Sequence, residues 1–169
     1  QLSHDGAFLS YLAPRDGVLN IWIAPANDLK QARAITSEKN RPIHEYAWAH
    51  THQHVLYSLD KNGDENFHVY VVDVKTGETR DVTPIENVQA RIMSGSPKHP
   101  DTVLLAINNR DPQLHDVFSL NVRTGELTKV IQNDEAFLGY EADADLQIRL
   151  ATRMTPAGGM EVLKRTNNA

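Results

Sequence analysis

The 169-residue chain has no cysteine, which excludes disulfides, thiolate-held metals and a cysteine nucleophile. That absence suits a cytosol and a bacterial periplasm equally, so the compartment stays open. Positive charge is sparse: 17 Lys and Arg stand against 22 Asp and Glu, for a net charge of -5. The basic residues are scattered, so no basic stripe marks a nucleic-acid or membrane surface. No apolar run approaches the roughly 18 residues of a membrane span, and no segment has the pattern of a secretory leader. The chain begins at Gln1 rather than Met, so the expectation is a gene product longer than these residues. Phosphate-binding motifs are absent too, with neither G-x-x-x-x-G-K-[ST] nor G-x-G-x-x-G present.

What is present is a repeat. The segments LNIWIAPA (19–26), FHVYVVDV (67–74) and HDVFSLNV (115–122) place Trp22, Tyr70 and Phe118 at a spacing of 48. Two residues before each aromatic stands a polar residue, Asn20, His68 and Asp116, in the same phase. KTGE (75–78) and RTGE (123–126) keep that spacing, with NDLK (27–30) in the corresponding place of the first copy. AFLSYLAP (7–14), HVLYSLDK (54–61) and TVLLAINN (102–109) recur at 47 and 48. A fourth copy opens with LQIRLATRM (146–154) and MEVLKR (160–165).

Each copy reads as strands alone: short runs rich in Val, Ile, Leu, Tyr and Phe, divided by turn residues every 10 to 13 positions. Gly accepts the positive φ that tight hairpins demand, so the T-G pairs suit strand reversals. In the second copy the predicted strands are 43–49, 54–61, 67–74 and 79–84. Four antiparallel strands per 40 to 50 residues is the pattern of a β-propeller blade. The predicted fold is therefore all-β, a partial propeller of about three and a half blades in a single domain spanning 1–169. The expected boundaries are a partial first blade at 1–38, a second at 43–85, a third at 90–133 and a partial fourth at 136–165. An open arc leaves unpaired strand edges, which predicts self-association or pairing with further blades.

Three stretches invite a chemical reading. DKNGDEN (60–66) spaces Asp60, Asn62, Asp64 and Asn66 like calcium ligands. An EF-hand loop, however, needs Gly at position 6 and Glu at position 12, where this chain has Glu65 and Val71. A hairpin turn with solvated acidic side chains is the favoured reading. HTHQH places His50, His52 and His54 at alternate positions, as a zinc site would. It falls where the other copies have SHDG (3–6) and SPKHPD (96–101), so a turn is again favoured. His44, His68 and His115 are expected to pack or hydrogen-bond at strand ends. Glu141, Asp143 and Asp145 read as a solvated turn, and SGSPK (94–98) is not the G-x-S-x-G elbow of a hydrolase. No catalytic, cofactor-binding or metal-binding residue is assigned, and no cofactor is expected.

Two longer stretches carry a family resemblance. LSHDGAFLSYLAPRDGVLNIWIAP is similar to blade openings in the propellers of the prolyl oligopeptidase family of serine peptidases. YSLDKNGDENFHVYVVDVKTGETRDVTP resembles the acylaminoacyl-peptidase and dipeptidyl-aminopeptidase-like members more specifically. NNRDPQLHDVFSLNVRTGELTKVIQN and ADADLQIRLATRMTPAGGMEVLKR resemble the next segment of the same propellers, so the likeness runs along the whole chain. SHDG and HTHQ depart from the commoner S-P-D-G turn, and the paired G-H and W-D signatures of WD repeats are missing. The resemblance implies an N-terminal propeller fragment that caps an α/β-hydrolase domain of the same parent chain, where a Ser-Asp-His triad would lie. It further implies peptide substrates, with access restricted to short ones, and no catalytic residue within these 169 positions. The alternative is a stand-alone TolB-like propeller acting as a protein-binding module. Neither reading involves nucleic acid or a membrane.

Overall fold

The computed structural model describes residues 1–166. Among them, fourteen strands form four antiparallel sheets in sequence order. The first sheet holds β1 (Phe8–Arg15), β2 (Val18–Pro25) and β3 (Arg33–Ala34), with one 3-10 turn at Leu29–Gln31. The second holds β4 (Tyr46–Trp48), β5 (His54–Leu59), β6 (His68–Asp73) and β7 (Thr79–Asp81). The third holds β8 (Ala90–Ser96), β9 (His99–Asp111), β10 (Leu114–Asn121) and β11 (Leu127–Ile131). β12 (Gly139–Ala142), β13 (Ile148–Met154) and β14 (Met160–Lys164) make the fourth. Two complete four-stranded blades are thus flanked by two three-stranded ones, the architecture of a partial β-propeller.

Registers repeat with the sequence. Trp22 sits opposite Tyr11, Tyr70 opposite Tyr57, and Phe118 opposite Leu105. In the second sheet both faces are buried, which is why β5 and β6 read as nearly unbroken apolar runs rather than as alternation. Val55, Tyr57 and Val72 pack with Ile21 and Ile23 of the first sheet. The intervening Leu56, Val69 and Val71 pack with Val103, Leu105, Ile107 and Phe118 of the third. A strand points successive side chains to opposite sides, so one run of valines builds two cores. Leu104 and Val117 face the other way, against Ile148 of the fourth sheet and Leu146 in the turn before it.

The turns follow their residue types. Asp16 and Gly17 join β1 to β2 with φ of 52° and 86°, the paired positive values of a two-residue type I′ hairpin. Gly125, at φ 79°, reverses the chain between β10 and β11. A Cβ there would also stand 3.1 Å from the Arg80 guanidinium, which would have to give way. SPKHPD contains less turn than its composition predicts: only Pro97 and Lys98 lie between the paired Ser96 and His99, and β9 already begins at His99.

Candidate functional site

The polar residue that precedes each aromatic anchor has a shared place. Asn20, His68 and Asp116 are all buried, and each ties the third strand of its blade to the fourth strand or its exit. Asn20 accepts from Thr36 Oγ1 at 2.8 Å and from the Glu38 N–H at 2.7 Å. The His68 ring meets Asp81 Oδ2 at 2.7 Å. Asp116 accepts from the Asn133 N–H at 2.8 Å and is flanked by Arg110 at 3.2 Å and Lys129 at 3.1 Å. Burial alone would raise the Asp116 pKa, but these donors outweigh it and hold the carboxyl below its ordinary value. All three are braces between strands.

Neighbouring blades are held by arginines. Arg80, on β7, donates to the carbonyls of Val122, Arg123 and Thr124 in the next blade's RTGE turn at 2.9–3.0 Å. Arg33, on β3 and 47 positions earlier, likewise reaches the next blade, at the Val74 carbonyl just before the KTGE turn. The position opposite Ser119 in the third blade, matching Arg80 opposite Val71, is Thr128, which has no such reach.

DKNGDEN is a hairpin loop between β5 and β6, but its first acid is not solvated. Asp60 is 3% exposed and is forked by Arg41, with Nε at 2.9 Å from Oδ1 and Nη2 at 3.1 Å from Oδ2. Burial would raise its pKa, yet Arg41 and the Glu65 N–H keep the carboxyl below its usual range. Positive φ at Asn62, Gly63 and Glu65 curls the loop over the guanidinium, so that a Cβ added at Gly63 would lie 3.7 Å from Arg41 Nη1. Asp60 differs from the solvated acid its loop predicts because Arg41 lies 19 residues earlier, in the linker before β4, and nothing in the loop itself points to it.

The histidines part company. His4 and His50 stack with ring centroids 4.0 Å apart, and His52 meets His4 edge-on at 6.3 Å. Burial, then the neighbouring His4 and His52, pushes the His50 pKa down. His54 turns away to share a 2.9 Å hydrogen bond between Nδ1 and Thr51 Oγ1, while its Nε2 stands 4.0 Å from Asp73. Asp73 favours the imidazolium, but burial is the larger effect and the His54 pKa is lowered. Thr51, His54 and Asp73 follow the order of a hydroxyl–imidazole–carboxylate triad. Thr51 is 7% exposed, however, and Asp73 accepts with Oδ1 from the N–H groups of Lys75 and Thr76, leaving Oδ2 4.0 Å from His54, beyond hydrogen-bond reach. The trio braces a turn and offers no reachable nucleophile. Burial, then Arg91, lowers the His115 pKa, and its Nε2 is buried without a hydrogen-bond partner among the described residues. Among the described residues, no group of three or more His, Asp or Glu is arranged to hold a metal ion.

The remaining candidates are also tied into structure. Asp143 caps its own turn by accepting from the Asp145 and Gln147 N–H groups and pairs with Arg149 at 2.6 Å. Asp145 pairs with Lys98 at 2.9 Å across the third and fourth sheets. Beside it the Ser96 hydroxyl donates to the Ala144 carbonyl at 2.5 Å.

A ligand-sized concavity lies between two of the sheets. A cleft of about 770 Å³ opens between the second and third sheets, where β4 and β8 are the edge strands. Pockets of about 300–1,000 Å³ are typical for bound small molecules and peptide segments. Its floor is Tyr46, Leu59, Phe67, Ile92 and Met93, and its rim carries Arg41, His44, Glu45 and Arg91. Sequence reasoning missed it because its walls come from two blades. The arginine staples could have been found, since Arg33 and Arg80 keep the phase of the repeat.

The fold and its repeat define a segment of a β-propeller. Over 168 residues, 99% of the chain, it is 45% identical to dipeptidyl aminopeptidase BIII of Pseudoxanthomonas mexicana. It is 31% identical over 175 residues to dipeptidyl peptidase family member 6 of Caenorhabditis elegans. The chain spans about a quarter of these relatives, 24% and 23% of their lengths. A solved prolyl endopeptidase matches 96% of the chain with 26% of its own, at a TM-score of 0.62 and 10% identity. TolB from Acinetobacter baumannii matches 94% of the chain with 38% of its own, at a TM-score of 0.57 and 15% identity. No family model matches the chain. Along its whole length the chain is therefore related in sequence to dipeptidyl peptidases, and it shares its propeller fold with a prolyl endopeptidase.

Proposed function

We propose that this chain is a noncatalytic part of a serine peptidase propeller that caps the active site of an α/β-hydrolase domain in the same protein and limits access to short peptides. The observation that carries the reading is the 45% identity to a dipeptidyl aminopeptidase along 99% of the chain. The physical role is exclusion. Blades packed on both faces form a stiff wall, which keeps folded proteins out by size and bulk water away from the reacting bond. The serine, aspartate and histidine of the reaction would come from the hydrolase domain.

The TolB likeness, at 15% identity, supports the fold alone. The test uses the whole protein and this chain side by side. A serine-directed fluorophosphonate is expected to label the whole protein and leave residues 1–169 unlabelled. The whole protein is expected to cleave short peptides and to spare the same sequences embedded in a folded protein. Labelling within 1–169, or equal cleavage of both substrate forms, overturns the proposal.

A further inference from the structure

The cleft between the second and third sheets carries charges that the fold does not use. Arg41 is spent on Asp60, and its guanidinium is part of the wall. Among the described residues, Arg91, on β8, has the neutral Gln89 Oε1 as its hydrogen-bond partner, at 2.5 Å, and makes none of the carboxylate ion pairs that engage Arg41, Arg110, Arg123, Arg149 and Arg153. On the opposite wall, before β4, Glu45 faces the same space without a cationic partner among the described residues.

The backbone adds a second element. β8 pairs with β9 on one side only, and on its other side the Ala90 N–H is taken by the Phe67 carbonyl at 2.8 Å, so the stretch from Arg91 to Met93 presents the free strand edge to the cleft. A free edge recognises an extended backbone by main-chain hydrogen bonds, and flanking pockets sort its side chains. Phe67 and Met93 supply an apolar surface beside it. Walls of mixed sign disfavour a small inorganic anion, which would meet Glu45 as well as Arg91.

We propose that this cleft is a peptide subsite in which an extended segment lies along the β8 edge and sets a carboxylate on Arg91. It rests on the peptidase reading above only in making the segment part of a substrate. The carboxylate comes from an acidic side chain or from the peptide's C-terminus, and the experiment separates these sources.

The test uses the whole protein and three labelled peptides of one apolar sequence. One carries an internal Glu with an amidated end, one the matching Gln with an amidated end, and one the Gln with a free C-terminus. Binding by fluorescence polarisation is read alongside cleavage. At least one carboxylate peptide is expected to bind about tenfold more tightly than the amidated Gln peptide, the ratio one charge-assisted hydrogen bond supports. Whichever one does so names the source. Arg91→Gln is expected to erase the difference and Arg91→Lys to keep part of it, with unchanged melting temperatures showing that both variants fold. Equal binding of all three peptides, or a preference that survives Arg91→Gln, overturns the subsite. If the carboxylate preference depends on Arg91 but no peptide is cleaved and no fluorophosphonate label appears, the subsite stands and the peptidase reading falls. Cleavage with no preference gives the reverse.

Discussion

The second and third sheets solve one problem with different chemistry. At the same place in the repeat, His68 leans on Asp81 in the second sheet, while Asp116 in the third gathers Arg110, Lys129 and the Asn133 N–H. The difference lies in where the charge sits. The buried member of the second pair is an imidazole, and its partner Asp81 is 23% exposed at the side chain. In the third sheet the carboxylate itself has 0% side-chain exposure, so its partners must replace its water. The repeat therefore preserves a polar brace at a fixed position and leaves its identity free. A buried charge that loses its partners costs more than an imidazole whose partner can return to solvent.

The largest effect is expected from breaking the third-sheet brace. Asp116→Val strands the buried Asn133 N–H and is expected to cost about 3 kcal/mol, the upper range for an unsatisfied buried donor. Its counterpart His68→Val is expected to cost about 1 kcal/mol, because Asp81 rehydrates and keeps its bond to the Thr83 N–H. Urea unfolding of both variants measures the gap, and equal losses would contradict the contrast between the sheets.

Next comes the seam between them. Arg80→Ala removes three bonds to carbonyls from a guanidinium at the surface, for an expected loss of about 1–2 kcal/mol. Thr128→Ala, the matching position one blade on, is expected to change stability by under about 0.5 kcal/mol. Thermal melts of the pair test whether the staple, and not the strand position, carries the stabilisation.

The smallest effect is on pH dependence. Burial lowers the pKa of His50, His54 and His115 in the folded chain below the ordinary 6.5. Between the lowered and ordinary values the unfolded chain binds more protons than the folded one, so stability rises with pH there. The contribution is complete above pH 6.5 and is lost as pH falls through the folded values. His54→Gln is expected to flatten that acid-side decline in a series of melting temperatures, and an unchanged slope would show that His54 takes no part. The lowered Asp60 and Asp116 act in the same direction at more acidic pH, below the ordinary carboxylate value of 3.8.

Much of the architecture was legible in the residues. Trp22, Tyr70 and Phe118 marked the third strand of three blades, and all three lie in the strands their spacing predicts. The turn glycines at 17, 77 and 125 have the positive φ their motifs require. The histidine run was legible only as a turn. Its residues point to different partners, with His50 stacking on His4 in the turn before β1 and His54 bonding to Thr51. Asp60 looked solvated because acidic loops usually are, and its partner Arg41 has no signature in sequence.

By itself the sequence determined the blade, since strand alternation, aromatic phase and turn φ are local properties that repeat every 48 residues. Only the tertiary structure decided which polar groups meet. The Arg41 fork on Asp60, the Arg80 staple on the RTGE turn and the cleft between β4 and β8 join residues from 19 to more than 40 positions apart. Such contacts depend on how one sheet docks on the next, and that docking is driven by apolar burial, which has no preferred direction.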